Sequence, residues 1–174
     1  MYSTETEKIY PRIEKYLGDR PIDIACGTAK VRSDAFGVDG RNVEGVDYLT
    51  DSLYNLPSQL PDLKEKFTSL YSGHTIEHLH DPYNAILEWS FFLESGGYFI
   101  CYLPQAGKYD NFANLEHIQN TDYKSFLMWF ERTFCGEGRN YIGEVYLTPI
   151  FEVIESGLDT EENCYGFYIV ARKL

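Results

Sequence analysis

Two short apolar runs constrain the fold most: Pro21 to Gly27 (PIDIACG) and Ala35 to Gly40 (AFGVDG). Roughly a dozen residues is the least that carries a chain from one strand to a parallel neighbour, and only about ten separate these runs. The spacing predicts two parallel strands whose connection holds, at most, a very short helix. The first run ends in the small-residue turn Ala25-Cys26-Gly27-Thr28-Ala29, which lets backbone approach a ligand without a side-chain clash.

The rest of the chain alternates helical and strand patterns. A first helix is expected over 4–17, with Thr4 and Glu7 as a capping box, Pro11 delaying its start, and Ile9, Ile13, Tyr16 and Leu17 on one face before Gly18. Short strands are expected over 46–49, ended by Asp51 and a Leu56-Pro57 turn, and over 67–71, closed by Ser72-Gly73. Asp81 caps a helix that Pro82 opens, with Ala85, Ile86, Trp89, Phe92 and Leu93 at helical spacing and Gly96-Gly97 as its terminator. A buried strand over 98–103, a helix over 121–134, and two closing strands within 145–154 and 165–171, an antiparallel pair, complete the reading. This order argues for one domain over 1–174, an α/β three-layer sandwich that binds its ligand at the carboxyl ends of the parallel strands.

Charge and cysteine usage narrow the partners. With 27 acidic and 15 basic residues the net charge is −12, which disfavours nucleic acid and anionic lipid. Cysteines at 26, 101, 135 and 164 form no C-x-x-C pair, so neither a zinc knuckle nor a disulfide framework is expected. The acidic, polar opening MYSTETEKIY lacks the pattern of a secretory signal, and no apolar stretch approaches the ~18 residues of a membrane span. A cytoplasmic protein with reduced thiols is expected.

Three acids, Asp23, Asp39 and Asp51, fall at expected strand ends. Asp ends strands for purely structural reasons too, but a carboxylate after the second strand suits a nucleoside, whose ribose hydroxyls it accepts. The stretches IDIACGTAK, GVDGR and DYLTDSLYNLP, followed by LYSGHTIEHLHDP and LESGGYFICYLP, resemble the class I, Rossmann-like S-adenosylmethionine-dependent methyltransferases over roughly 22–104. The resemblance implies a mostly parallel sheet with an antiparallel strand near the C-terminal edge, and S-adenosyl-L-methionine as cofactor. It implies that the first loop (Asp23, Ala25, Cys26, Gly27) cradles methionine, that Asp39 and Gly40 meet the ribose, and that Asp51 and Ser52 lie by the adenine. The segment from Tyr71 to His78, with Ser72, would line the transfer site. The family loop usually carries glycines at alternating positions, where this chain has Ala25, Gly27 and Ala29. Alanine resists positive φ, so a loop of altered shape or weaker affinity is expected. Short C-G-x-x-K loops of this kind, found among glycan and cell-envelope methyltransferases, point to a small-molecule or sugar hydroxyl acceptor.

An acceptor hydroxyl profits from a base, and an imidazole with its ordinary pKa of ~6.5 suits that work. His74, after the fourth strand, is the first candidate, and His117, after the fifth, the second. His74-Thr75-Ile76-Glu77-His78 also matches the H-x-x-E-H pattern of inverted zinc hydrolases, which need two histidines on one helix face. Asp81-Pro82 leaves that motif barely one turn, so no metal site is expected, and Glu77 and His78 are assigned to orienting the loop. The aromatic stripe from Tyr123 to Phe134 reads as core, with Trp129 off the stripe, while 108–111 and 136–143 read as loops facing the acceptor. The small domain leaves the acceptor site open or completed by a second subunit in a homo-oligomer. The alternative is a protein of the same fold that binds the cofactor without turnover, motivated by Ala25, Ala29 and the short crossover.

Overall fold

A computed structural model describes residues 4–110, 113–136, 148–160 and 164–174. Among the described residues seven strands form one sheet: β1 (Pro21–Ile24), β2 (Phe36–Asp39), β3 (Tyr48–Leu49), β4 (Phe67–Gly73), β5 (Leu93–Pro104), β6 (Phe151–Leu158) and β7 (Gly166–Lys173). Their order is β3-β2-β1-β4-β5-β7-β6. The β1–β2, β2–β3, β1–β4 and β4–β5 pairs are parallel. β7 runs antiparallel between β5 and β6. The order reverses beside β1, which is where open sheets of this kind leave a crevice.

Side-chain alternation builds the two outer layers. Phe99, Cys101 and Leu103 of β5, with Phe167, Ile169 and Ala171 of β7, share the larger core with Trp89, Phe126, Phe130 and Phe134. These last come from α3 (Pro82–Trp89) and α4 (Tyr123–Phe134); the one-turn α2 (Leu56–Gln59) adds Leu56. Successive residues point the other way, so Ile100, Tyr102, Tyr168 and Val170 meet Ile9, Ile13 and Leu17 in a smaller core. That face is covered by α1 (Glu5–Ile13) and its short 3-10 extension Glu14–Tyr16. The capping box forms as expected, Glu7 N–H donating to Thr4 Oγ1 and Thr4 N–H to Glu7 Oε2, each at 3.1 Å. Pro11 does not delay the start. It lies inside the helix, whose cap precedes it by two turns.

Two further expectations are corrected. The helix opened by Asp81 and Pro82 ends at Trp89, followed by a 3-10 turn over Ser90–Phe92. Gly96 and Gly97 do not terminate it but lie within β5, where pairing with β4 slips: from Phe67↔Leu93 to Ser69↔Tyr98, β4 advances two residues while β5 advances five. Gly96 takes φ +83°, and a Cβ on Gly97 would stand 3.1 Å from the Thr68 carbonyl oxygen. A glycine pair therefore serves a bulge as readily as a helix end. The first crossover (25–35) holds no regular helix, in line with its length. The chain 56–59 is a one-turn helix rather than a bare turn. No described helix is long and apolar enough to cross a membrane.

Candidate active site

The carboxyl ends of the parallel strands open into a cavity of about 700 Å³, within the ~300–1,000 Å³ range of small-molecule sites. The loop after β1 supplies Ala25, the end of β2 supplies Asp39, Gly40 and Arg41, and the turn after β3 supplies Thr50, Asp51, Ser52 and Leu53. The loop after β4 adds His74, Thr75 and His78, and a later segment adds Asn114 and Glu116. Three carboxylates face one guanidinium across this wall, so it favours a ligand carrying positive charge.

The first loop keeps its tight shape despite the missing glycines. Ala25 and Gly27 take φ +61° and +56°, and the Ala25 and Cys26 N–H groups both donate to the Val38 carbonyl, at 2.7 and 3.2 Å. A left-handed alanine costs about 1–2 kcal/mol, which those two bonds offset. Gly27 N–H then donates to Asp39 Oδ2 at 2.7 Å. A Cβ at Gly27 would come within 2.9 Å of Arg41 Nη2, so this position needs glycine for space as well as for φ.

Asp39 is the hub. Its Oδ1 accepts the Arg41 N–H at 2.8 Å and the Arg41 Nε–H at 3.2 Å. Burial works to raise its pKa, yet the Arg41 guanidinium, the Gly27 N–H and the Arg41 N–H outweigh burial and hold the carboxyl below its usual value. Asp39 is thus a charged acceptor. The Arg41 side chain is 69% exposed. Asp51 and Ser52 are exposed on the turn that buried Thr50 shapes, its Oγ1 accepting Ser52 N–H at 3.1 Å and lying 2.7 Å from Gln59 Oε1.

Other expected site residues sit behind this wall. Asp23, Cys26, Gly27, Ser72 and His117 are not among the described residues that line the cavity. Asp23 is 1% exposed and its Oδ2 accepts Val31 N–H at 2.6 Å, so it ties down the first crossover. Burial pushes its carboxyl up to about 8, and it holds its proton at neutral pH. Cys26 packs against β2, with its thiol pushed up to about 12 by burial and the nearby acids. Ser72 donates to the Ile24 carbonyl at 3.2 Å. Trp129, expected off the aromatic core stripe, is partly buried and lines a separate hollow of about 410 Å³ with Tyr83 and Phe126. Lys108 reaches back to the Asp159 carbonyl at 3.2 Å, and residues 111 and 137–143 lie outside the described residues.

The corner after β4 is of a different kind. His74 takes φ +49°, held by its N–H to the Tyr102 carbonyl at 2.8 Å, with Nδ1 3.2 Å from Glu77 Oε1. Residues Ile76–His78 make a 3-10 turn, not the helix that an H-x-x-E-H zinc site needs. Glu77 is fully buried. Its carbonyl accepts the N–H groups of Ile118 at 2.9 Å and Gln119 at 3.0 Å, drawing the segment with Asn114, Glu116 and His117 to the cavity. Sequence reasoning missed Asn114 and Glu116 because no periodicity or motif marks that loop; Arg41 was detectable as the cation next to Asp39-Gly40.

No protein-family model matches the chain, and no curated protein does. Solved structures do. A methyltransferase from Mesorhizobium loti, described as S-adenosylmethionine dependent, superposes with TM-score 0.63 at 13% identity over 95% of this chain and 98% of its own. One from Aquifex aeolicus, described as SAM dependent, gives 0.62 at 13% over 98% and 90%. The methyltransferase CalH, in complex with SAH, gives 0.63 at 13% over 97% of this chain and 55% of its own. At such identities the likeness is one of architecture, and with the strand order and the strand-end cavity it establishes that this chain has the fold of the class I S-adenosylmethionine-dependent methyltransferases.

Proposed function

We propose that the chain binds S-adenosyl-L-methionine across the ends of β2 and β3 and transfers its methyl group to a small-molecule or sugar hydroxyl. One observation carries the reading: Asp39, Asp51 and His74, far apart in sequence, line a single cavity beside the reversal of strand order. The residues fit the cofactor. An ionised, buried Asp39 with an exposed Arg41 beside it suits ribose hydroxyls, and the acidic wall suits a sulfonium and an ammonium. When bound, the cofactor supplies an electrophilic methyl group on a sulfonium that leaves as a neutral thioether. His74 is on the cavity wall, with Nδ1 3.2 Å from Glu77 Oε1 and Nε2 buried 3.8 Å from Glu5 Oε2. With the ring turned to bring one nitrogen into the cavity, it accepts the acceptor hydroxyl's proton as the oxygen takes the methyl. Walls that hold both partners in line provide the rest of the acceleration through positioning. A cytosolic setting is supported by cysteines that form no disulfide.

The test is titration calorimetry with S-adenosylmethionine and its demethylated product, followed by turnover against hydroxyl-bearing acceptors. Binding of both nucleosides with release of the demethylated product supports the proposal, and absence of binding to either refutes it. Binding without turnover would favour a non-catalytic protein of the same fold.

A further inference from the structure

Glu77 is a buried acid at the corner after β4. Its carboxylate is 0% exposed, and neither oxygen accepts a hydrogen bond among the described residues; Oε1 has His74 Nδ1 at 3.2 Å and His78 Nε2 at 4.0 Å beside it. A buried carboxylate without a donor costs several kcal/mol unless a cation or a proton meets it. Side chains from two separate segments converge on it: one ligand atom each from Glu77, His78 and His117 lie within 4.8 Å of one another.

The surroundings orient these groups as a ligand set. His78 Nδ1 lies 3.0 Å from the Glu116 carbonyl, which only accepts, so Nδ1 carries the proton and Nε2 presents its lone pair 4.0 Å from Glu77 Oε1. A ligating histidine is commonly fixed in this way by a carbonyl on its far nitrogen. The His117 ring stands edge-on to His78 at 4.5 Å. Its backbone is anchored by His117 N–H to Asn114 O at 3.0 Å and by the two bonds from Ile118 and Gln119 to the Glu77 carbonyl. The carbonyl of the carboxylate-bearing residue thus positions the second histidine. Metal–ligand bonds of ~2.0–2.2 Å set tetrahedral donors about 3.4 Å apart, so the three groups, within 4.8 Å of one another, need close by at most about 1.4 Å.

We propose that Glu77, His78 and His117 bind one divalent first-row transition metal ion, of the zinc class, at the rim of the cavity. Two imidazoles and one carboxylate suit such an ion better than magnesium or calcium, which take oxygen ligands. The set differs from the His74–Glu77–His78 arrangement that the H-x-x-E-H pattern implies: His117 stands in for His74, whose Nδ1 lies 3.2 Å from Glu77 Oε1. It also replaces the expectation of no metal and gives His117 a role away from the cavity wall. Three protein ligands leave a position for water or an acceptor oxygen, and His78 itself lines the cavity.

Zinc uptake needs no cofactor, so it is measured independently of the methyl-transfer reading. Chelator-stripped protein is titrated with Zn²⁺ by calorimetry and with Co²⁺ by visible absorption. One equivalent is expected, with affinity weakened at least about 10-fold in His117→Ala and in Glu77→Gln. His80→Ala, an exposed neighbour outside the cluster, keeps wild-type affinity. Thermal melts of the stripped variants, matching or exceeding wild type for Glu77→Gln, show that loss of uptake is not loss of fold. No stoichiometric uptake overturns the proposal. So does uptake that survives His117→Ala undiminished, or that is lost in His80→Ala.

Discussion

Asp39 and Glu77 are both acids that follow a parallel strand, and they are treated in opposite ways. Asp39, at the end of β2, is saturated by its own chain through Gly27 N–H and two Arg41 donors, and its charge is secured. Glu77, beyond β4, is buried deeper and accepts no hydrogen bond among the described residues. The difference teaches that strand-end acids are not interchangeable markers of a site. One is ringed by donors that keep it ionised; the other has the His74 and His78 nitrogens near its Oε1, at 3.2 and 4.0 Å. Asp23, at the end of β1, is a third case. It keeps a proton, and its work is to hold the first crossover.

The largest effect sharpens the β4 side of this contrast. If His74 is the base, His74→Ala should lower kcat by about 10²–10⁴-fold while leaving nucleoside affinity within a few-fold. Rates should be followed as formation of demethylated product. An unchanged kcat with a weakened Kd would move His74 to the binding side and erase the division drawn here.

A second effect tests Asp23. Its folded pKa of about 8 exceeds the ordinary value of 3.8. Between these values the folded chain holds a proton that the unfolded chain has released. Stability therefore falls as pH rises from about 4 to about 8, at ~1.4 kcal/mol per unit, and levels off above. Asp23→Asn, which keeps an acceptor for Val31 N–H, should flatten that slope in denaturant melts at pH 5 to 9. A slope identical to wild type would mean that Asp23 is ionised when folded, and the three-way distinction among the acids would fail.

Much of the architecture was legible because it rests on local periodicity. Ile22 and Ile24 flank Asp23, Phe99 to Leu103 alternate across β5, and Asp81-Pro82 announces α3. The shortened α3 was not legible, since Gly96-Gly97 carries the same local signature whether it ends a helix or bulges a strand, and only pairing with β4 decides. Part of the site was equally local: Asp39, Gly40, Asp51 and Ser52 follow short strands and line the cavity. Asp23, Cys26 and Ser72 looked equivalent in sequence, but the side on which each strand-end side chain emerges depends on the crossover that covers it. The meeting of His117 with Glu77 was invisible, because it depends on two backbone bonds across about forty residues.

The smallest of these effects bears most directly on the central claim, that an adenosine-bearing cofactor lies across β2 and β3 with its ribose on Asp39. Titration of S-adenosylmethionine into folded Asp39→Ala should show affinity reduced by about 1–3 kcal/mol relative to wild type, the cost of losing charge-assisted hydrogen bonds. Wild-type affinity in that variant would contradict the account.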